Sequence, residues 1–177
     1  MSQPEFLDAA FTRKGDEVEA RLGLLLDNHV EEVWALLTRP DQLPAWLAPG
    51  EIEPRVGGRA HLNFPESGVV IDSLVTAWEP RRLLEYSWSS PGEPARPLRW
   101  ALEPVGNLTR LTLTLTVPGH EDVARSCAGW AAHLEMLAAS AAGVSIKFPF
   151  EIFKAARAAY GAQLATQGQM ASAPQAG

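Results

Sequence analysis

The chain has 177 residues, 46% hydrophobic and 20% charged, which suits one ordinary globular domain and leaves no room for two comfortable ones. Lys and Arg number 15 against 21 Asp and Glu, a net charge of −6, which argues against nucleic acid or an anionic membrane surface as the main partner. The single cysteine, Cys127, excludes an internal disulfide and fits a reducing compartment.

Met1 to Phe11 carries acidic residues and no apolar core, so it does not read as a signal peptide. No stretch approaches ~20 uninterrupted apolar residues, so no membrane span is expected and the protein is expected to be cytoplasmic. Residues 1–15 lack a clear period and read as an arm. Glu17 to Leu26 alternates, with Val18, Ala20, Leu22 and Leu24 on one side, and is predicted to be a strand. Asn28 and Glu31 have capping-box spacing ahead of Val30, Val33, Trp34 and Leu37, the pattern of a short amphipathic helix ended by Pro40. Asp41 to Leu47 reads as a second short helix.

A run of strands follows. Arg59 to Phe64 alternates after the Gly57-Gly58 turn, Gly68 to Trp78 is longer, and Leu83 to Trp88 sets Leu84, Tyr86 and Trp88 on one face. Beyond a loop rich in proline and glycine come Leu98 to Glu103 and Leu108 to Val117. In the last, Leu111, Leu113 and Leu115 alternate with threonines, which reads as half-buried antiparallel sheet. From Asp122 to Ala142 the period becomes helical, with Val123, Cys127, Trp130, Leu134, Leu137 and Ala141 on one stripe and Gly143 as the stop. Another amphipathic helix is expected from near Pro149, carrying Phe150, Phe153, Tyr160 and Leu164. The expected divisions are an arm over 1–15, a main domain over 16–143, an added helix within 144–165 and a disordered tail over 166–177.

This order predicts an α+β fold. A twisted antiparallel sheet has one apolar face to cover, and the long helix is the only element large enough to cover it. A curved sheet around one helix tends to leave a gap, which is the natural ligand site.

Six stretches carry a family resemblance: Val30 to Thr38 (VEEVWALLT), Pro40 to Trp46, Val56 to Arg59 (VGGR), Trp78 to Trp88 (WEPRRLLEYSW), Thr109 to Thr114 (TRLTLT) and Gly129 to Leu134 (GWAAHL). In this order they resemble the bacterial proteins related to the activator of the heat-shock protein 90 ATPase, in the START-like (Bet v 1-like, SRPBCC) superfamily. The resemblance covers roughly residues 17–142. It implies a helix-grip fold with a cavity, in a superfamily that includes lipid carriers, polyketide cyclases and co-chaperone modules. It supplies no shared catalytic set, and His29 stands where the family often places proline.

The four histidines, His29, His61, His120 and His133, show no metal-ligand spacing, and no nucleotide-binding glycine motif is present, so neither metal nor cofactor is expected. His133 lies beside the apolar stripe and could reach the cavity edge, or stand at the boundary of a packed helix. Cys127 sits on the stripe as a small hydrophobe. Asp72 either joins the inner face as a buried carboxylate or lies on the solvent face, with Val69, Ile71 and Val75 inside. The second assignment buries more aliphatic surface and is preferred. The expected cavity lining is Trp130, His133, Tyr86, Trp88, Cys127, Trp34 and Phe64, with no catalytic residue assigned.

The expected function is binding of a small apolar molecule: a lipid, an aromatic or a polyketide-like compound. The alternatives are a co-chaperone-like interaction module, whose chaperone contact no motif supports, and a cyclase- or hydrolase-like enzyme using Tyr86, His133 or Asp72. For the added helix, packing on its own domain is preferred, with a lid or a homodimer contact as the other outcomes.

Overall fold

The structure, a computed structural model, describes residues 7–172, with side chains through residue 168. Eight strands run in chain order as β1 (Ala9–Lys14), β2 (Glu17–Leu26), β3 (Gly50–Ile52), β4 (Arg59–Phe64), β5 (Val69–Glu79), β6 (Leu83–Ser87), β7 (Pro97–Val105) and β8 (Leu108–Pro118). The helices are α1 (Val30–Thr38), α2 (Leu43–Trp46), α3 (Val123–Ala141) and α4 (Phe150–Ser172). The strands form one antiparallel sheet in the order β1-β2-β8-β7-β6-β5-β4-β3. From β3 to β8 the chain meanders. Strand β2 pairs with β8, so α1 and α2 carry the chain from one side of the sheet to the other. This is the α+β helix-grip architecture expected from the order of elements, with α3 against the inner face.

The alternating residues fill the core as expected. Val18, Ala20 and Leu22 of β2, Leu84 and Tyr86 of β6, and Leu111 and Leu113 of β8 are all buried, as are Cys127, Trp130, Leu134 and Leu137 of α3. Asp72 is on the outer face, where its carboxylate meets Arg59 of the adjacent strand at 2.9 and 3.0 Å. Ile71 and Val75 point inward, but Val69 at the strand end is exposed. A bulge between Val75 and Ala77 then shifts the alternation, so that Trp78 follows Val75 to the inner side and meets Trp34 of α1 edge-on at 5.0 Å. Strict alternation along β5 would place Trp78 on the face of Asp72; the extra residue of the bulge breaks that grouping.

Four local expectations are corrected. The arm contains strand β1, which pairs with β2 in register from Ala9↔Leu22 to Lys14↔Glu17 around a turn at Gly15. Its residues 1–6 lie outside the described residues. The capping box does not form: the N-cap of α1 is His29, with no side-chain cap. Asn28 instead donates to Glu32 Oε2 at 2.8 Å and to the Ala141 carbonyl at 3.0 Å. That carbonyl is in the last turn of α3, where intrahelical donors run out, and the tertiary acceptor wins over the local cap. Strand β3 was not foreseen because it is three residues long; it needs glycine at position 50, where a Cβ would lie 2.1 Å from the His61 carbonyl. Finally, α4 runs to Ser172 through the first part of the expected tail, and 173–177 lie outside the described residues.

Among the described residues no helix is long and apolar enough to cross a membrane.

Candidate ligand cleft

The inner face of the sheet and α3 do not close on each other completely. A cleft of about 310 Å³ remains, walled by Phe64, Trp88, Leu98 and Leu115 from the sheet side and by Trp130 and His133 from α3. Its volume is at the lower end of the range for small-molecule sites. Three aromatic residues stand together on the wall. Trp88 meets Trp130 edge-on at 4.7 Å and Phe64 at 5.8 Å, and Trp130 continues to the buried Trp100 at 5.7 Å. Edge-to-face rings pack firmly without closing the space between their faces.

Gly129 is the reason the cleft reaches into α3. A Cβ there would meet nothing within 4 Å, so the helix presents bare backbone to open space. Gly129 and Ser126 also line a second, more open groove of about 710 Å³, bordered by Phe148, Phe150 and Phe153. The two hollows therefore adjoin along one face of α3. At the rim Arg96 donates through both terminal nitrogens to Glu121, the Nη1 bond being 2.9 Å. Each partner favours the charged form of the other, raising the Arg96 pKa and lowering that of Glu121.

His133 contributes a polar group beside the aromatic wall. Its Nδ1 is 2.9 Å from the carbonyl of Trp46 in α2, and burial lowers its pKa while that carbonyl pulls weakly the other way. Trp46 is itself fixed: its Nε1 donates to the Leu36 carbonyl at 2.7 Å. The residue four positions on from Leu36 is Pro40, which has no N–H, so the indole satisfies a carbonyl that α1 cannot.

Of the seven residues expected to line the cavity, the structure brings Trp130, His133, Trp88 and Phe64 together. Tyr86 is buried behind Trp88, its ring 6.4 Å away, and does not line the cleft; burial raises its pKa. Its phenol lies beside Trp100 Nε1, a buried donor with no well-placed acceptor among the described residues. Cys127 is fully buried away from the cleft, near Tyr160 of α4, and burial pushes its thiol up to about 12. Trp34 belongs to the contact with Trp78. These three were assigned from a shared stripe or face, which says that a side chain is inside but not which part of the interior it meets. Arg96, Ser126, Gly129 and Phe148 were missed. Gly129 has no side chain to assign to a face, and the other three sit in a loop or on the flank of a helix, where period gives no signal.

Among the described residues no group of three His, Cys, Asp or Glu side chains could hold a metal ion.

Comparison with solved structures supports the fold. CalU16 of Micromonospora echinospora is similar with a TM-score of 0.73 at 23% identity, over 88% of this chain and 96% of that one. A conserved protein of unknown function from Enterococcus faecalis aligns with a TM-score of 0.75 at 18% identity, over 89% and 91%. DynU16, a protein of the dynemicin biosynthetic locus, aligns with a TM-score of 0.65 at 28% identity, over 75% of this chain but 49% of that one. No curated protein matches the chain. The family profile described as Activator of Hsp90 ATPase homolog 1-like protein matches residues 27–142, from the start of α1 to the end of α3. That span is more than half of the chain and contains the whole cleft, and the protein accordingly belongs to the Activator of Hsp90 ATPase homolog 1-like family.

Proposed function

We propose that the protein binds a small, largely apolar, aromatic-type molecule in the cleft between α3 and the sheet. The observation that carries this reading is the 310 Å³ cleft with Phe64, Trp88 and Trp130 on its wall and open space in front of Gly129. A relative encoded in a biosynthetic locus fits a small-molecule cargo. The outer face of the sheet is a weaker candidate for a partner protein. It is laced with cross-strand ion pairs, Arg59 with Asp72 and Arg99 with Glu85, and such a face does not gain by being covered.

Binding is favoured over catalysis. Of the three acid–base candidates, Asp72 is on the outer face and Tyr86 is buried behind the wall. His133 alone reaches the cleft, and one imidazole does not make an acid–base pair.

The test uses Trp88 and Trp130 as reporters. Intrinsic fluorescence is titrated with a panel of lipids, aromatics and polyketide-like compounds, on the wild type and on Gly129→Phe, whose ring would occupy the cleft. Saturable quenching by at least one compound in the wild type, lost in the variant, is the expected result. Gly129→Ala serves as the folding control and is expected to gain ~0.5–1 kcal/mol, the helical cost of glycine. A wild type that responds to no compound sinks the proposal.

A further inference from the structure

The polar chemistry of the cleft narrows the ligand further, granted that the cleft is the binding site. A backbone carbonyl can only accept a hydrogen bond, so the 2.9 Å contact with the Trp46 carbonyl requires the proton on His133 Nδ1. Nε2 is the other polar atom of a ring that lines the cleft, and it has no hydrogen-bond partner among the described residues. The ring is set among Phe148 at 5.5 Å, Trp130 at 6.0 Å and Phe64 at 6.5 Å. Desolvation by this apolar neighbourhood disfavours the imidazolium, so at neutral pH Nε2 is a bare lone pair. Arg96, the cation that lines the cleft among the described residues, is held by the carboxylate of Glu121 and is not free to receive an acid.

We infer that His133 Nε2 is a fixed acceptor for the hydroxyl of a phenol-type ligand whose ring rests among Phe64, Trp88 and Trp130. A flat aromatic hydroxyl satisfies both parts of the cleft: the rings take its face and edges, and the imidazole takes its proton without abstracting it. A carboxylate would set two acceptors against each other at Nε2. A hydrocarbon, or an ether of the same shape, would leave the lone pair dry and unpaired, and discrimination of this kind comes from the cost of the unpaired group.

The probes are 2-naphthol and 2-methoxynaphthalene, which share a ring system and differ in the O–H. Calorimetric titration of the full chain at pH 7 is expected to show about tenfold tighter binding of the naphthol. In His133→Phe the preference is expected to vanish while the ether still binds. Because that variant also loses the bond to the Trp46 carbonyl, the imidazole ¹⁵N spectrum of the wild type provides an independent reading. It should show a protonated Nδ1 and a bare Nε2, with the Nε2 resonance moving when naphthol is added. Equal affinity for the two probes, or a proton on Nε2, overturns the assignment of His133 and leaves the cleft reading intact. If neither probe binds while another member of the fluorescence panel does, the phenol falls and the cleft stands. If nothing binds, both fall.

Discussion

Trp46 joins three parts of the molecule. Its indole N–H caps the Leu36 carbonyl left open by Pro40, its ring meets Trp100 edge-on at 5.6 Å, and its own carbonyl orients His133. Trp46→Phe would keep the ring contact and leave the carbonyl buried and unpaired. The expected loss is about 1–3 kcal/mol by chemical denaturation. His133 makes a prediction about pH. Its folded pKa is depressed below the ordinary value of 6.5, so in the interval between the two the unfolded chain binds more protons than the folded one. Its contribution to stability is therefore complete above 6.5 and is lost as pH falls through the folded value. The carboxylates of Asp72, Glu121 and Asp122 also have lowered pKa values, against ordinary values of 3.8 or 4.5, so their share is lost only in stronger acid. A melting series from neutral to mildly acidic pH should show a decline that His133→Phe removes; a decline of the same size in the variant would assign it to other groups.

Among the elements, α4 is the one that depends on packing at two distant places. It lies along α3, burying Ala156 and Tyr160. Tyr160 donates to the Leu7 carbonyl and meets Phe11 of β1 edge-on at 5.8 Å, and Gln163 Nε2 donates to the Ala9 carbonyl at 2.8 Å. Arg157 reaches Asp122, whose other carboxylate oxygen caps α3 by accepting from the Arg125 N–H. The helix therefore fastens the edge strand β1 and the start of α3 at once. Tyr160→Ala is expected to cost about 3 kcal/mol and to lower Tm by about 10 °C. Truncation after Gly143 should cost more and should loosen β1, read as faster amide exchange at Ala9 to Lys14. An unchanged melting temperature would show that α4 is dispensable.

For the molecule as a whole, the large apolar groups of α4 other than Phe150 pack within their own chain. Tyr160 and Ala156 are buried, and Phe153 and Leu164 pack against the core, while Phe150 is 66% exposed. A homodimer is not needed to cover that helix. The expected result is a monomer mass in solution and a Tm that does not change with protein concentration; a rise in Tm on concentration would point to an interface instead. Ligand binding acts through the same linkage. A compound at about 100 times its Kd should add ~2.7 kcal/mol of apparent stability to the wild type and nothing to Gly129→Phe.

The sequence by itself determined the architecture, because the sheet and the long helix are written in period. Alternation in β2, β4, β6 and β8 marks inner and outer faces, and the helical stripe from Val123 to Leu137 marks the one element that can cover them. Trp130 on the stripe, His133 at its flank, and Trp88 and Phe64 at strand ends were legible as residues turned toward the interior. Tertiary structure decided the rest. Whether an inward residue meets empty space, as Trp88 does, or another ring or helix, as Trp34 and Cys127 do, depends on how far the covering helix stands off the sheet at that point. No local pattern encodes that distance. The bulge after Val75, the pairing of β1 along β2, and the exchange of a local cap at Asn28 for the end of α3 have the same origin. In each, a partner distant in the chain supplied a hydrogen bond or a buried surface that the local sequence could not reveal.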